Sequence, residues 1–198
     1  MIKKFIDKLL GKTPGGARGS KKPSFGKREE VSADVHGINP ELVDRRASDV
    51  VRTLKQAGFE AYIVGGAVRD LLVGLRPKDF DVATNATPEQ VKGLFRRAFI
   101  IGRRFRIVHV VYGRGREHEV IEVSTFRAYL DNAAAEQVAG NEKTSKSELA
   151  GMQHAVDSTG RVLRDNVWGP MEEDAVRRDF TTNAMYYDPE TQVAVDYK

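Results

Sequence analysis

The 198-residue sequence contains no cysteine and no apolar run long enough to cross a membrane as a helix. The lack of cysteine excludes disulfide bonds and thiolate metal sites, and it is compatible with a cytoplasmic protein. A membrane-spanning helix needs about 18 or more consecutive apolar residues, and no window supplies them. The start of the chain also lacks the apolar core and small-residue cleavage site of a secretory signal. We therefore expect a cytoplasmic location.

Several common catalytic signatures are missing as well. The sequence has no Walker-type phosphate loop, no dinucleotide-binding glycine fingerprint and no nucleophile elbow. None of its four histidines has the spacing typical of metal ligands.

Basic charge is concentrated near the N-terminus. The net charge is +4, and residues 1–30 hold 9 Lys and Arg against 3 Asp and Glu, so the remainder is slightly acidic. Residues 11–37 are rich in Gly, Pro, Ser and Lys. We predict a flexible basic tail over residues 1–37 and a folded domain over 38–198. Apolar residues at helical spacing in residues 1–10 favour either a frayed terminus or weak contact with a membrane surface.

The folded part combines helical and strand patterns. An amphipathic helix is expected to begin at Asn39 and to end near Gly58. Residues 128–160 are polar and show no sustained period, which predicts a long mobile loop. The remaining patterns predict strands at 59–64, around the aspartates that precede Thr84, and at 107–112, 119–125 and 193–195, with helices at 67–73, 87–97, 171–177 and 180–185.

Two aspartates alternate with apolar residues in one of these strands. Asp79 and Asp81 flank Phe80, and Val82 follows. Because alternate residues of a strand share a face, both carboxylates should point one way while Phe80 and Val82 enter the core. Adjacent carboxylates repel each other unless a cation lies between them, as in divalent metal sites for phosphoryl transfer.

A glycine pair precedes the aspartates. Gly65 and Gly66 lie where a strand meets a helix, so backbone amides can receive a phosphate there. Arg69 and Asp70 follow in the first turn of that helix, where the arginine would hold a phosphate or pair with a carboxylate. A tight turn without a ligand is the alternative interpretation.

A second cluster joins three arginines to an aromatic residue within the segment 102–106, GRRFR. Such a combination is typical of contact with a nucleic-acid or triphosphate backbone, although a solvated turn is the alternative. Farther along, Glu122 lies on a predicted strand and Arg127 just past its end. Glu122 would complete a metal site or pair with an arginine.

A third cluster lies close to the C-terminal end. Asp174 and Arg178 have the i,i+4 spacing of a surface helix pair. Arg177, Asp179 and Asn183 add a cation, an anion and an amide to the same turn of the chain. Phosphates and ribose hydroxyls of a nucleotide need such groups, so the cluster has both a structural and a nucleotide-binding interpretation.

Together these motifs resemble a known family. The sequences GGAVRD, DFDVAT and EDAVRRDFTTNAM are similar to the head and adjoining nucleotide-binding region of the tRNA nucleotidyltransferase/poly(A) polymerase family. The similarity extends over residues 35–198 and is interrupted at 128–160. Within the family, IGRRFRIVHV and RDNVWG resemble the bacterial poly(A) polymerase branch.

The resemblance implies a fold and an activity. The fold would be an α+β nucleotidyltransferase (polymerase beta-like) head domain, a mixed or antiparallel sheet with flanking helices, plus the start of a helical neck region. The activity would be template-independent addition of AMP from ATP to RNA 3′ ends, by a protein expected to be monomeric. CCA addition to tRNA and, in a different class, a non-catalytic RNA-binding module are the alternatives.

The resemblance also implies roles for individual residues. Asp79 and Asp81 would hold Mg²⁺, with Asp179 as a third catalytic residue. Glu122 is a rival for that third carboxylate, and the sequence leaves the choice open. The residues implied in nucleotide binding are Gly65, Gly66, Arg69, Asp70, Arg127, Arg177, Arg178 and Asn183.

Overall fold

The computed structural model describes residues 26–115, 118–129, 136–137, 154–156 and 162–197. Its helices are α1 (Ala33–His36), α2 (Arg45–Gln56), α3 (Gly66–Leu72), α4 (Pro88–Leu94) and α5 (Met171–Val176), with 3-10 turns at Pro40–Leu42 and Thr181–Asn183. Its strands are β1 (Arg28–Val31), β2 (Ala61–Val64), β3 (Asp81–Thr84), β4 (Ala98–Ile101), β5 (Ile107–Tyr112), β6 (Glu119–Thr125), β7 (Glu136–Gln137), β8 (His154–Val156), β9 (Val162–Asp165), β10 (Tyr186–Asp188) and β11 (Val193–Tyr197).

An eight-stranded mixed sheet forms the centre of the fold, in the order β1-β11-β10-β2-β3-β6-β5-β4. Its pairs are antiparallel except β3 and β6, which run parallel. Strands β7, β8 and β9 form a separate three-stranded sheet. The predicted α+β architecture with a mixed sheet and flanking helices is confirmed.

The sheet is covered on both faces. Ile63 and Val82 belong to a core cluster that includes the apolar faces of α2, α3 and α4. Their neighbours Val64 and Ala83 belong to a second cluster together with Met171 and other residues of α5 and β10. Because neighbouring strand residues point to opposite faces, the two clusters lie on opposite sides of the sheet. Strand β3 thus ends up buried on both faces along most of its length.

Helix capping explains several boundaries. Thr87 and Gln90 form the predicted capping box at the start of α4. Asn39 does act as a cap, but only of the 3-10 turn that follows it. The long helix begins later because Asp44 accepts a hydrogen bond of 2.8 Å from the backbone N–H of Arg46. The single helix predicted from Asn39 is therefore two elements.

The two ends of the folded part also differ from the predictions. Residues 28–31 form β1, which pairs with β11, so ordered structure begins inside the predicted tail of residues 1–37. The described residues end on β11, not on the start of a helical neck. Strands β4 and β10 were not predicted, and the helix predicted at 180–185 is only a 3-10 turn.

Two other predictions fall largely on residues that the structure does not describe. Residues 1–10, with their suggested membrane contact, lie wholly outside the described residues. Of the predicted loop at 128–160, only the first two residues and the strands β7 and β8 are described. Within the described part of the chain, no helix has the length and apolar character required to span a membrane.

Candidate active site

The paired aspartates lie where β3 begins. Phe80 and Val82 retain 5% and 0% of their exposure, whereas Asp79 and Asp81 are exposed, so the predicted alternation of faces is confirmed. Asp79 precedes the strand, which starts at Asp81. The parallel partner of Asp81 in the register of β3 and β6 is Glu122. Three carboxylates are therefore gathered at this point of the sheet.

Electrostatics at this edge indicate excess negative charge. The pKa of Asp81 is raised to about 6. Desolvation of its carboxyl group is the largest cause, although the residue keeps exposed surface; the charges of Glu122 and Asp79 add to the increase, and the charge of Arg178 opposes it. The side chain of Glu122 also contacts an imidazole, with 3.3 Å between its Oε1 and Nε2 of His109. A cation bound here would relieve the repulsion between the carboxylates.

The donor set fits only one mode of metal binding. Across the described ranges, no group of three or more His, Cys, Asp or Glu side chains is arranged to hold a metal by itself. Mg²⁺ is usually bound by one or two carboxylates, with waters and substrate phosphates completing its coordination. Asp79 and Asp81 fit that mode, in which a nucleotide brings the remaining oxygen ligands. Members of the nucleotidyltransferase class generally use a divalent metal with their nucleotide substrates.

A cavity of about 430 Å³ lies near this edge, although none of the three carboxylates lines it. Two residues that line the cavity relate it to the carboxylates. Ser124 lies two residues after Glu122 on β6, and the charge of Arg178 acts on Asp81. Its volume lies in the usual range for small-molecule sites, roughly 300–1,000 Å³. The lining residues are Phe105, Ser124, Arg127, Asp174, Arg177, Arg178, Asp179 and Asn183.

Five residues expected to bind a nucleotide or to take part in catalysis thus share one cavity: Arg127, Arg177, Arg178, Asp179 and Asn183. The amide oxygen Oδ1 of Asn183 is buried and has no hydrogen-bond partner among the described residues. A buried acceptor of this kind costs free energy unless a donor, such as a ribose hydroxyl, reaches it.

Asp174, which also lines the cavity, makes more contacts than the i,i+4 spacing in the sequence indicates. Its Oδ1 accepts a hydrogen bond of 3.1 Å from the backbone N–H of Arg127. Its Oδ2 accepts from Nε and Nη2 of Arg178, at 3.1 and 2.8 Å, and from the hydroxyl of Tyr186 at 2.9 Å. The i,i+4 pair is present, but it is buried, because Asp174 is only 5% exposed.

The neighbours of Asp174 respond to its charge. Burial acts to lower the pKa of Arg178, but Asp174 and Tyr186 together outweigh it and keep this pKa above the ordinary arginine value. Burial, followed by the charge of Asp174, raises the pKa of Tyr186. Spacing alone could not distinguish this buried junction from a surface pair. The burial of Asp174 could have been predicted from the apolar residues Met171 and Ala175 on the same helix, both of which belong to the core.

The glycine pair lies next to the same cavity wall. Gly65 has a φ of +77°, and a side chain added there would come within 4.0 Å of the backbone oxygen of Asn183. Its N–H donates to the carbonyl oxygen of Met185, at 3.3 Å, which ties the turn to the segment before β10. The N–H of Gly65 therefore donates a hydrogen bond within the fold, whereas the sequence led us to expect it to contact a phosphate. Gly66 begins α3.

Arg69 and Asp70 pair with each other at the surface. Nε and Nη2 of Arg69 donate to Oδ1 of Asp70, at 3.0 and 2.8 Å. Neither residue lines the cavity described above. The sequence allowed Arg69 either to hold a phosphate or to pair with a carboxylate, and in this structure it pairs with the carboxylate of Asp70.

Comparisons with known proteins identify the family of this chain. The sequence model of the poly(A) polymerase head domain matches residues 61–198. Poly(A) polymerase I of Haemophilus influenzae is 47% identical over 168 residues, covering 84% of this chain and 33% of that protein. The CCA-adding enzyme of Lactobacillus helveticus is 34% identical over 148 residues, covering 75% of this chain and 30% of that enzyme.

Solved structures show the same fold. A CCA-adding enzyme in an apo form aligns with a TM-score of 0.57 at 17% identity, over 84% of this chain and 35% of that chain. The chain spans about a third of the length of the curated relatives that it matches. On the strength of the matched head domain and the identity to its members, the chain belongs to the poly(A) polymerase head domain family.

Proposed function

We propose that the protein is a template-independent polynucleotide adenylyltransferase, which adds AMP from ATP to RNA 3′ ends. The observation that carries the proposal is the carboxylate edge of Asp79, Asp81 and Glu122 beside a cavity lined by arginines. Carboxylates for a metal and cations for a triphosphate are the two requirements of phosphoryl transfer. We propose a cytoplasmic location, with which the lack of cysteine is compatible, and a monomeric state.

The reaction follows from these groups. The RNA 3′-hydroxyl attacks the α-phosphorus of ATP and releases its proton to solvent as the new oxygen–phosphorus bond forms. The bond between the α-phosphorus and the oxygen that bridges to the β-phosphate breaks, and pyrophosphate leaves. Asp79 and Asp81 would hold Mg²⁺, which supplies Lewis-acid activation of the hydroxyl and charge neutralisation on the phosphates. Arg127 and Arg177 line the adjoining cavity, where guanidinium groups suit the oxygens of a triphosphate.

The two candidates for the third carboxylate occupy different positions. Glu122 is in register with Asp81 and contributes to its raised pKa, whereas Asp179 lines the cavity. We therefore assign Glu122 to the carboxylate edge and Asp179 to contact with the nucleotide. If this is correct, Glu122→Gln lowers kcat at an unchanged KM for ATP, and Asp179→Asn raises that KM. The reverse pattern would return Asp179 to the catalytic set.

Addition of AMP is favoured over addition of CCA by the comparisons. Identity is 47% to a poly(A) polymerase I but 34% to a CCA-adding enzyme, over similar lengths. The test is to incubate the purified protein, Mg²⁺ and a transcript unrelated to tRNA with labelled ATP or labelled CTP. We expect the transcript to be extended with ATP and hardly at all with CTP. Preferential use of CTP, or extension of tRNA alone, would contradict the proposal.

A further inference from the structure

Phe105 is an aromatic residue that neither core cluster uses. It is 39% exposed and lines the same cavity as Arg127 and Arg177. The other apolar residues of the neighbouring strand β5 are mostly covered by the core. Burial of its own surface therefore does not explain the position of this phenylalanine.

The backbone that carries Phe105 is held in place on both sides. Gly102 has a φ of +88°, and a methyl group on it would overlap the carbonyl oxygen of Phe105, so only glycine allows this turn. After the ring, the N–H of Arg106 donates to Oδ1 of the buried Asn166, at 3.0 Å. The backbone on either side of Phe105 thus holds this aromatic residue at the cavity.

A guanidinium group supports the ring. The Cζ atom of Arg127 lies 4.6 Å from the centroid of Phe105, within cation–π range. The backbone of Arg127 is fixed in turn by Asp174 and by a bridge to Trp168. Arg104 is farther from the ring, at 5.9 Å, the outer limit of such contacts.

We propose that Phe105 is the stacking platform for a nucleobase at this cavity, with Arg127 holding the ring in place. The inference rests on the proposed function and adds a base-binding residue to it. An aromatic face beside arginines suits a nucleotide, since the ring stacks on the base while the cations meet the phosphates. The base belongs either to the incoming nucleotide or to the 3′ end of the RNA.

Two pairs of ligands separate these sources. The first pair is ATP and inorganic tripolyphosphate, which share the phosphates but not the base. The second pair is an RNA oligonucleotide with a normal 3′ nucleotide and the same oligonucleotide with an abasic 3′ end. Affinities are measured with Mg²⁺ for the wild type, Phe105→Leu and Phe105→Trp. Phe99→Leu is the matched control, because Phe99 is 53% exposed on β4 and does not line the cavity.

Stacking on an aromatic residue contributes about 5- to 150-fold in affinity per base. We expect Phe105→Leu to weaken binding of ATP, or of the normal RNA end, by about that factor. Tripolyphosphate and the abasic oligonucleotide should bind as to the wild type, and Phe105→Trp should restore affinity. Loss for ATP identifies the incoming base, and loss for the normal RNA end identifies the primer base.

Three results would overturn the inference. The first is that Phe105→Leu binds ATP and the normal RNA end as tightly as the wild type does. The second is that Phe105→Leu weakens binding of tripolyphosphate as much as binding of ATP. The third is that Phe99→Leu weakens binding of these ligands as much as Phe105→Leu does. Failure of the proposed function has a different signature. In that case the wild type itself would show neither ATP binding with Mg²⁺ nor transfer of AMP to RNA.

Discussion

Replacing Asp174 by alanine should be among the most damaging single changes in the site. Its carboxylate accepts hydrogen bonds from the N–H of Arg127, from the guanidinium of Arg178 and from the hydroxyl of Tyr186. The carboxylate side chain is 7% exposed and that of Arg178 is 23% exposed. Asp174→Ala therefore leaves a largely buried guanidinium without its anion.

The expected cost follows from that geometry. Removing one partner of a buried ion pair costs about 3–5 kcal/mol, and total stability of a domain is about 5–15 kcal/mol. We expect Asp174→Ala to lower the free energy of unfolding by about 3–5 kcal/mol, measured by urea denaturation at pH 7. Tyr186→Phe is the matched control, since it removes one hydrogen bond to the same carboxylate and should cost about 1 kcal/mol.

A double variant tests the reason for the loss. Asp174→Leu combined with Arg178→Met removes both charges, so it should be less destabilising than the sum of the two single changes. The reasoning is refuted if Asp174→Ala costs no more than Tyr186→Phe. Strict additivity of the two single changes would also refute it, because the pair would then have no coupling.

Three further changes test other parts of the structure. Gly102→Ala should cost about 1–3 kcal/mol in urea denaturation, because it forces a side chain into a positive-φ position against the carbonyl of Phe105. Burial acts to raise the pKa of Asp188, but the hydrogen bonds from Lys55, from the N–H of Glu190 and from the hydroxyl of Thr191 together lower it below the ordinary value. The stabilising effect of the Asp188 carboxylate is therefore present above about pH 4 and lost as the pH falls below it. Asp188→Asn should thus be less stable than wild type by about 1–3 kcal/mol at pH 7, with the gap closing toward pH 2; a constant gap would contradict this. Because the pKa of Asp81 is raised, the folded state loses stability as the pH rises from about 4 to about 6 and this carboxyl ionises. Asp81→Asn removes that charge, so at pH 8 in a chelator the variant should melt at a higher temperature than the wild type.

The parts of the fold that depend on local sequence were predictable. Alternation of Asp79 and Asp81 with apolar neighbours gave the correct faces, because the two-residue period of a strand is a local property. The capping box of Thr87 and Gln90 likewise marks its helix by neighbouring residues alone. Of the motifs that indicated a nucleotide site, the cluster at 174–183 lines one cavity together with Arg127, whereas Arg69, Asp70 and the paired aspartates do not line it.

Elements that depend on distant partners were missed. Strand β1 reads REEV, with three exposed charged or polar positions, and only its pairing with β11 makes it a strand. Strand β10 pairs with β2, which lies far from it in sequence, and with β11, which follows it after a turn. The burial of Asp174 could not be predicted from spacing alone either, because i,i+4 spacing is the same for a surface pair and for a buried one.

Transfer of AMP by the variant Asp79→Ala/Asp81→Ala tests the central claim most directly. Both aspartates are exposed, so their removal should leave the fold intact, as a melting curve can verify. The account predicts that extension of a labelled RNA with ATP and Mg²⁺ is abolished while the variant keeps most of its affinity for that RNA. Retained transfer of AMP by the double variant would contradict the carboxylate-based mechanism.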